Sequence, residues 1–357
     1  MKIPKLQIGN ITAELPIIQG GMGVRVSLSS LASAVANEGG IGTIASVGLG
    51  DLEILEREFV KQSSGALTKE VRKARSMCNS KGHIAVNIMG VLSNSDDLVR
   101  AAVEAGAQII VYGAGLPINL PTLVEDSPVN LVPIVSSARV ANLILKVWDK
   151  RYNRTVDGFI IEGPLAGGHL GFSEEQLRDP QNFSLDKILP EVMETVKEYE
   201  DKFGQKIPLI AAGGIFTGRD IARMLSLGAS GVQMATRFVC TEECDVSPEF
   251  KQAYLDLKEE DITIIKSPAG LPGRAIRNKF LKGLETHVKL KIRCPYKCLT
   301  TCKITEARYC IARALLNSYF GKVDEGLIFC GQNAHRIEKI VTVKELIAEL
   351  KTELEAA

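Results

Sequence analysis

The chain has almost no net charge: 43 basic residues face 42 acidic ones, for a formal charge of +1. That balance gives no footing for nucleic acid or for an anionic membrane surface. Long apolar runs are also missing. None approaches the roughly 18 residues that a transmembrane helix needs. The opening Met1-Lys2-Ile3-Pro4 lacks the apolar core of a signal peptide. A cytoplasmic location is the expectation that follows, and there the eight cysteines read as thiols or metal ligands rather than disulfides. What remains is ordinary for a globular protein, with 45% hydrophobic and 24% charged residues.

Apolar runs and helical segments alternate along the chain. Expected strands cover 15–19, 41–46, 83–89, 108–112, 131–135, 157–161, 208–212 and 231–235. Expected helices include one capped by Ser27 and running to Asn37, and one from Asp51 to Ser80 in two pieces broken near Ser63-Ser64-Gly65. Further helices are expected from Ser95, Ala138, Leu185 and Thr217. No antiparallel hairpin is evident. Eight strand–helix units argue an α/β fold, a closed (β/α)8 TIM barrel, with an open doubly wound sheet as the alternative. The chain then divides into a barrel over 1–245 and a C-terminal lid and helical, Cys-rich segment over 246–357.

A barrel places its chemistry at the C-terminal ends of its strands. Glycines and polar residues gather there. The run Glu162-Gly163-Pro164-Leu165-Ala166-Gly167-Gly168-His169 follows the sixth strand. Its glycines let the backbone approach a flat or anionic group, and His169 is suited to move a proton near neutral pH. Gly213-Gly214 and Gln233-Met234-Ala235-Thr236 follow strands seven and eight, where barrels often bind phosphate. A Pro/Gly loop around Arg274 reads either as a lid meeting an anionic substrate or as a solvated loop with one structural Arg.

Cys294, Cys298, Cys302 and Cys310 lie within 17 residues. Such density fits a zinc site or an iron–sulfur cluster, or a cysteine-rich buried helix face. On a continuous helix Cys294 and Cys302 stand about 12 Å apart along the axis. Thiolates sharing one zinc lie within about 4.6 Å, so a shared metal requires the helix to break.

Five motifs in this order and spacing carry a resemblance: Pro16-Ile17-Ile18-Gln19-Gly20-Gly21-Met22-Gly23, Val86-Asn87-Ile88-Met89, Ala166-Gly167-Gly168-His169, Ala211-Ala212-Gly213-Gly214-Ile215 and Gly231-Val232-Gln233-Met234-Ala235-Thr236-Arg237-Phe238. The chain resembles the FMN-dependent group that contains nitronate monooxygenases (formerly 2-nitropropane dioxygenases) and FMN-type enoyl-ACP reductases. The match runs from Pro16 to Phe280, and more loosely from Gly321 to the end. The resemblance implies FMN as cofactor. It places Gly21 and Met22 against the flavin ring, has Asn87 bond to it, and brings Glu162, Gly167 and Gly168 close to it. Gly213, Gly214 and Gln233, Met234, Ala235 and Thr236 would hold the phosphate. His169 matches the catalytic His.

Leu165 and Leu170 stand where nitronate monooxygenases often have an acidic residue and an Arg, and the opening Gln-Gly-Gly-Met looks more like the reductases. The reading that follows puts oxidative denitrification of nitronates with O₂ first, His169 taking a proton from neutral nitroalkanes. Enoyl thioester reduction with NAD(P)H comes second, and a non-redox barrel binding a phosphorylated small molecule third. The oligomeric state stays open.

Overall fold

The computed structural model describes residues 1–51, 56–125, 127–286 and 290–357. Its centre is a closed barrel of eight parallel strands: β1 (Ile17–Gln19), β2 (Ile41–Ala45), β3 (His83–Met89), β4 (Ile109–Gly113), β5 (Asn130–Val135), β6 (Phe159–Glu162), β7 (Leu209–Ala212) and β8 (Gly231–Met234). Closure is made by β8 pairing with β1, Val232 opposite Ile17. The expected (β/α)8 architecture is the observed one.

The strands are apolar on both faces because both are covered. Outward residues such as Ile84, Ile110 and Ile161 pack in one core with the surrounding helices, which contribute Leu31, Leu67, Ile144 and Trp148. Inward residues at the lower end, among them Ile18, Ile109, Ile160 and Ile210, form a second core with Leu6, Ile8, Ile11 and Ala13. Those last four belong to a short antiparallel hairpin, Leu6–Ile8 with Ile11–Ala13, which plugs the floor of the barrel. The sequence shows no evident hairpin, yet the chain forms this one because its apolar face fills the barrel floor.

Two helical expectations change as well. The helix Glu56–Met77 is continuous through Ser63-Ser64-Gly65. Ser63 Oγ donates to the Val60 carbonyl at 3.1 Å and accepts a hydrogen bond from Asn94 Nδ2 at 2.8 Å, so Ser63 is satisfied without a break. Residues 52–55 of that expected helix lie outside the described residues. Ser27 does not cap the next helix, which starts at Ser29 behind Leu28. Its hydroxyl instead accepts from Met22 N at 2.8 Å and so shapes the loop after β1.

Past the barrel, Ile262–Lys266 and Pro272–Ile276 pair antiparallel. Pro272–Ile276 also pairs with the two-residue strand Gly168–His169, Gly273 opposite His169 and Arg274 opposite Gly168. The Cys-rich stretch is not helical: between Leu290 and Cys310 the chain is irregular, and helix resumes at Ile311–Tyr319. It is pinned across the top by Ser93 N to Cys298 O (3.1 Å) and Thr300 N to Val91 O (2.8 Å), and by Tyr296 stacked on Phe59 with centroids 3.7 Å apart. The final helix, Val343–Ala356, packs on Gly218–Ser226. No described helix is long and apolar enough to cross a membrane.

Candidate active site

A cavity of about 650 Å³ opens at the C-terminal ends of the strands. Gly21 and Met22 after β1, Asn87 on β3, and Glu162 with Gly167, Gly168 and His169 after β6 all line it. So do Gly213 and Gly214 after β7 and the run Gln233, Met234, Ala235 and Thr236 closing β8. Barrel topology brings these distant motifs to one rim, because parallel strands end on the same side.

The glycines are required by close approach. A Cβ on Gly21 would lie 2.4 Å from Asn87 Cβ, and one on Gly167 would lie 2.6 Å from the backbone of Cys330 and Gly331. Gly213 and Gly214 adopt φ of +95° and +81°, a region that side chains with a Cβ rarely enter. Two buried polar atoms of the cavity lining lack partners among the described residues: Gln233 Oε1 and Ser46 Oγ. Unmet buried acceptors and hydroxyls need a bonding partner from somewhere. A glycine cradle next to orphaned polar atoms fits a large polar cofactor such as FMN. Thr236 Oγ1 accepts from Gly331 N at 3.1 Å, which leaves its hydrogen free to donate.

His169 is held by a residue that the motifs did not reveal. Its Nε2 lies 2.7 Å from Ser267 Oγ, and Ser267 Oγ also accepts from Ala269 N at 3.1 Å. The edge of the His169 ring meets Phe329, centroids 5.0 Å apart. Desolvation pushes the imidazole down to about 4, so the ring is neutral at physiological pH. With Nε2 committed to Ser267, Nδ1 is the nitrogen left for a ligand. Ser267 lies 98 residues further along the chain, and only the sheet made by Gly168–His169 brings the two together.

Arg274 corrects the lid expectation. It is 3% exposed and does not line the cavity. Its Nη1 donates to Pro164 O at 2.8 Å and to Ala166 O, so it clamps the Gly-rich loop from behind. Burial lowers its pKa, opposed by Cys330 and Glu162 nearby. A strand partner buried beneath the loop cannot reach over the cavity to meet substrate.

Among the described residues, Glu162 is the carboxyl group that lines the cavity. Desolvation raises its carboxyl to about 7, against the Gly171 N–H and the Arg274 charge, which favour the anion. A carboxyl raised in the folded state binds more protons there than when unfolded, so stability falls as pH rises from about 4.5 to 7. Glu162→Gln removes that loss. Relative to the parent, it gains about 3 kcal/mol above pH 7 and nothing below pH 4.5, from about 1.4 kcal/mol per pKa unit. Urea titrations of the cofactor-free protein at pH 4.5 and 8 read the difference. An equal effect at both pH values would sink the assignment.

Of the four clustered cysteines only Cys298 lines the cavity. No group of three or more described His, Cys, Asp or Glu side chains is placed to hold a single metal ion.

Known proteins echo this architecture. A protein of Mycobacterium tuberculosis, "(3aS,4S,5R,7aS)-5-hydroxy-7a-methyl-1-oxo-octahydro-1H-indene-4-carboxyl-CoA dehydrogenase", is 28% identical over 276 residues, 77% of this chain and 67% of its own length. A probable nitronate monooxygenase of Staphylococcus saprophyticus is 26% identical over 310 residues, 80% of this chain and 82% of its own. FabK of Thermotoga maritima superposes with a TM-score of 0.72 at 25% identity, covering 96% of this chain and 94% of that one. The sequence model of the nitronate monooxygenase family matches residues 5–353. The chain belongs to the nitronate monooxygenase family and is an FMN-dependent oxidoreductase.

Proposed function

We propose that the enzyme reduces the carbon–carbon double bond of an α,β-unsaturated acyl thioester. One observation carries this reading: among the described residues, no Lys or Arg lines the cavity. A nitronate is an anion, and away from the phosphate cradle this cavity offers it neither a cation nor a cluster of backbone N–H groups. Here it would meet a neutral His169 and an acidic Glu162. A thioester is uncharged and apolar, and its carbonyl asks for one hydrogen-bond donor. The walls offered by Met22, Met89, Leu92 and Leu299 suit an acyl chain. The Mycobacterium tuberculosis relative, whose name is that of a carboxyl-CoA dehydrogenase, is in keeping with a thioester. This reverses the order that the motifs alone favour.

In this reading the barrel to residue 245 seats FMN, and 246–357 roofs the substrate. Gly21, Met22 and Asn87 would flank the flavin ring. Gly213, Gly214 and Gln233 to Thr236 would receive its phosphate through backbone N–H groups and the Thr236 hydroxyl. When bound, FMN supplies reversible hydride transfer, with NAD(P)H the expected reductant. His169 takes the tautomer with hydrogen on Nδ1 when Nε2 accepts the Ser267 hydroxyl proton. Nδ1–H then donates to the thioester oxygen, where negative charge develops as the β-carbon is reduced. Burial, with Phe329 against the ring, strengthens that bond and keeps the ring uncharged.

A second reading, nitronate oxidation with O₂, draws on the family match. The deciding experiment reduces the flavoprotein anaerobically with dithionite and mixes it with crotonyl-CoA or a longer enoyl-CoA. Flavin reoxidation with saturated thioester as product is expected. Nitrite release from alkyl nitronates in air, with no oxidation of the reduced flavin by any enoyl thioester, would reverse the conclusion.

A further inference from the structure

We infer that Gly331, Gln332 and Asn333 form a latch that sets the cofactor's phosphate seat from behind, with Asn333 as its positioning residue. The inference rests on FMN binding and not on the choice between thioester and nitronate.

Three contacts carry it, one to each of three rim loops. Gln332 N donates to Leu165 O, after β6, at 3.1 Å. Asn333 Nδ2 donates to Gly214 O, after β7, at 2.6 Å. Gly331 N donates to Thr236 Oγ1, after β8, at 3.1 Å. Consecutive residues of the C-terminal region thus tie together loops from three barrel strands. The segment is itself anchored. Cys330 N donates to Arg274 O at 3.1 Å, and the Tyr254 hydroxyl donates to Phe329 O.

The contact at Gly214 has the sharpest consequence. No described Lys or Arg lines the cavity. A phosphate there is met by N–H groups and a hydroxyl, and their directions decide how well it is held. A trans peptide points its C=O and the next N–H opposite ways. With Gly214 O bound to Asn333, the N–H of Ile215, a residue of the cavity lining, is turned away from the latch. Neither Gly214 N nor Ile215 N donates a hydrogen bond among the described residues, so both are available to a ligand. Gly214 sits at φ +81°, and a glycine peptide reorients readily unless something holds it. Asn333 is what holds it. Helix capping does not explain this side chain: Asn333 precedes the short helix Ala334–Arg336 and makes no cap bond to it. Gly331 is fitted as closely, since a Cβ there would lie 2.7 Å from Thr236 Oγ1.

The test titrates full-length protein, stripped of flavin, with FMN and with riboflavin, followed by flavin fluorescence. Riboflavin has the ring but no phosphate, so it separates the seat from the ring site. Asn333→Ala should weaken FMN by about 10- to 100-fold, the loss expected when one hydrogen bond to a charged group fails, and leave riboflavin affinity unchanged. Asn333→Asp keeps the size without the donor and should weaken FMN at least as much. Gly331→Ala, which crowds Thr236, should follow Asn333→Ala. Urea unfolding of each flavin-free variant checks independently that it has folded. Equal weakening of FMN and riboflavin would give Asn333 a general packing role and overturn the inference. So would wild-type FMN affinity in both Asn333 variants, or a parent protein that binds riboflavin as tightly as FMN.

Discussion

His169→Ala lowers enoyl thioester reduction by about 10²–10³-fold, the usual loss when one donor to a developing oxyanion is removed, while FMN stays bound. The side chain contributes through Nδ1, since Nε2 is tied to Ser267 at 2.7 Å. His169→Asn is the informative companion. An Asn amide can donate from near the Nδ1 position, so this variant should recover part of the lost rate. A base acting on a neutral nitroalkane behaves otherwise, because an amide accepts no proton and Asn would be as slow as Ala. The pH profile adds a second check. An imidazole pushed down to about 4 stays neutral throughout the physiological range, so its contribution as a donor is flat from pH 6 to 8. An Asn variant no faster than Ala, with a rate that climbs through pH 6.5, would dismiss the donor role.

Arg274→Met is expected to cost about 3 kcal/mol of stability and to weaken FMN binding, since each buried acceptor left unsatisfied costs about 1–3 kcal/mol. Met keeps much of the volume, so the loss isolates the two bonds to Pro164 and Ala166 from packing. It also strips Glu162 of the nearby positive charge. The Ala166-Gly167-Gly168 backbone would then be free to shift against Cys330 and Gly331, where Gly167 leaves no room for a Cβ. Urea unfolding and flavin titration measure both effects. Wild-type stability in Arg274→Met would show that the clamp is idle. Were Arg274 instead a substrate-binding lid, FMN affinity and stability would hold and only KM would rise.

The barrel was legible because burial on both strand faces writes apolar runs that need no knowledge of partners. All eight expected strands overlap observed ones, from Ile17–Gln19 to Gly231–Met234. The floor hairpin escaped because each strand has three residues, too few to establish a period, although Gly9-Asn10 is a fair hairpin turn. Ser63-Ser64-Gly65 read as a break on propensity, and a tertiary bond to Asn94 overrode it. The rim residues were legible as motifs, since each sits beside its own strand. Arg274 and Ser267 were not. Their work depends on partners 98 to 110 residues away, joined by a sheet whose first strand is only Gly168–His169. No local pattern encodes such a pairing.

The cavity's two halves are also inherited differently. Its seat draws on loops scattered from Gly20 to Thr236, so altering one loop disturbs a ring that must close. Much of its roof comes from one contiguous run, with Tyr296, Leu299, Thr301, Ile311 and Leu315 all facing in. That run can be lengthened, shortened or exchanged by a single recombination event without moving a barrel strand. Substrate preference can therefore diverge among related enzymes faster than cofactor use, and chimeras exchanging residues 290–320 are the natural way to transplant it.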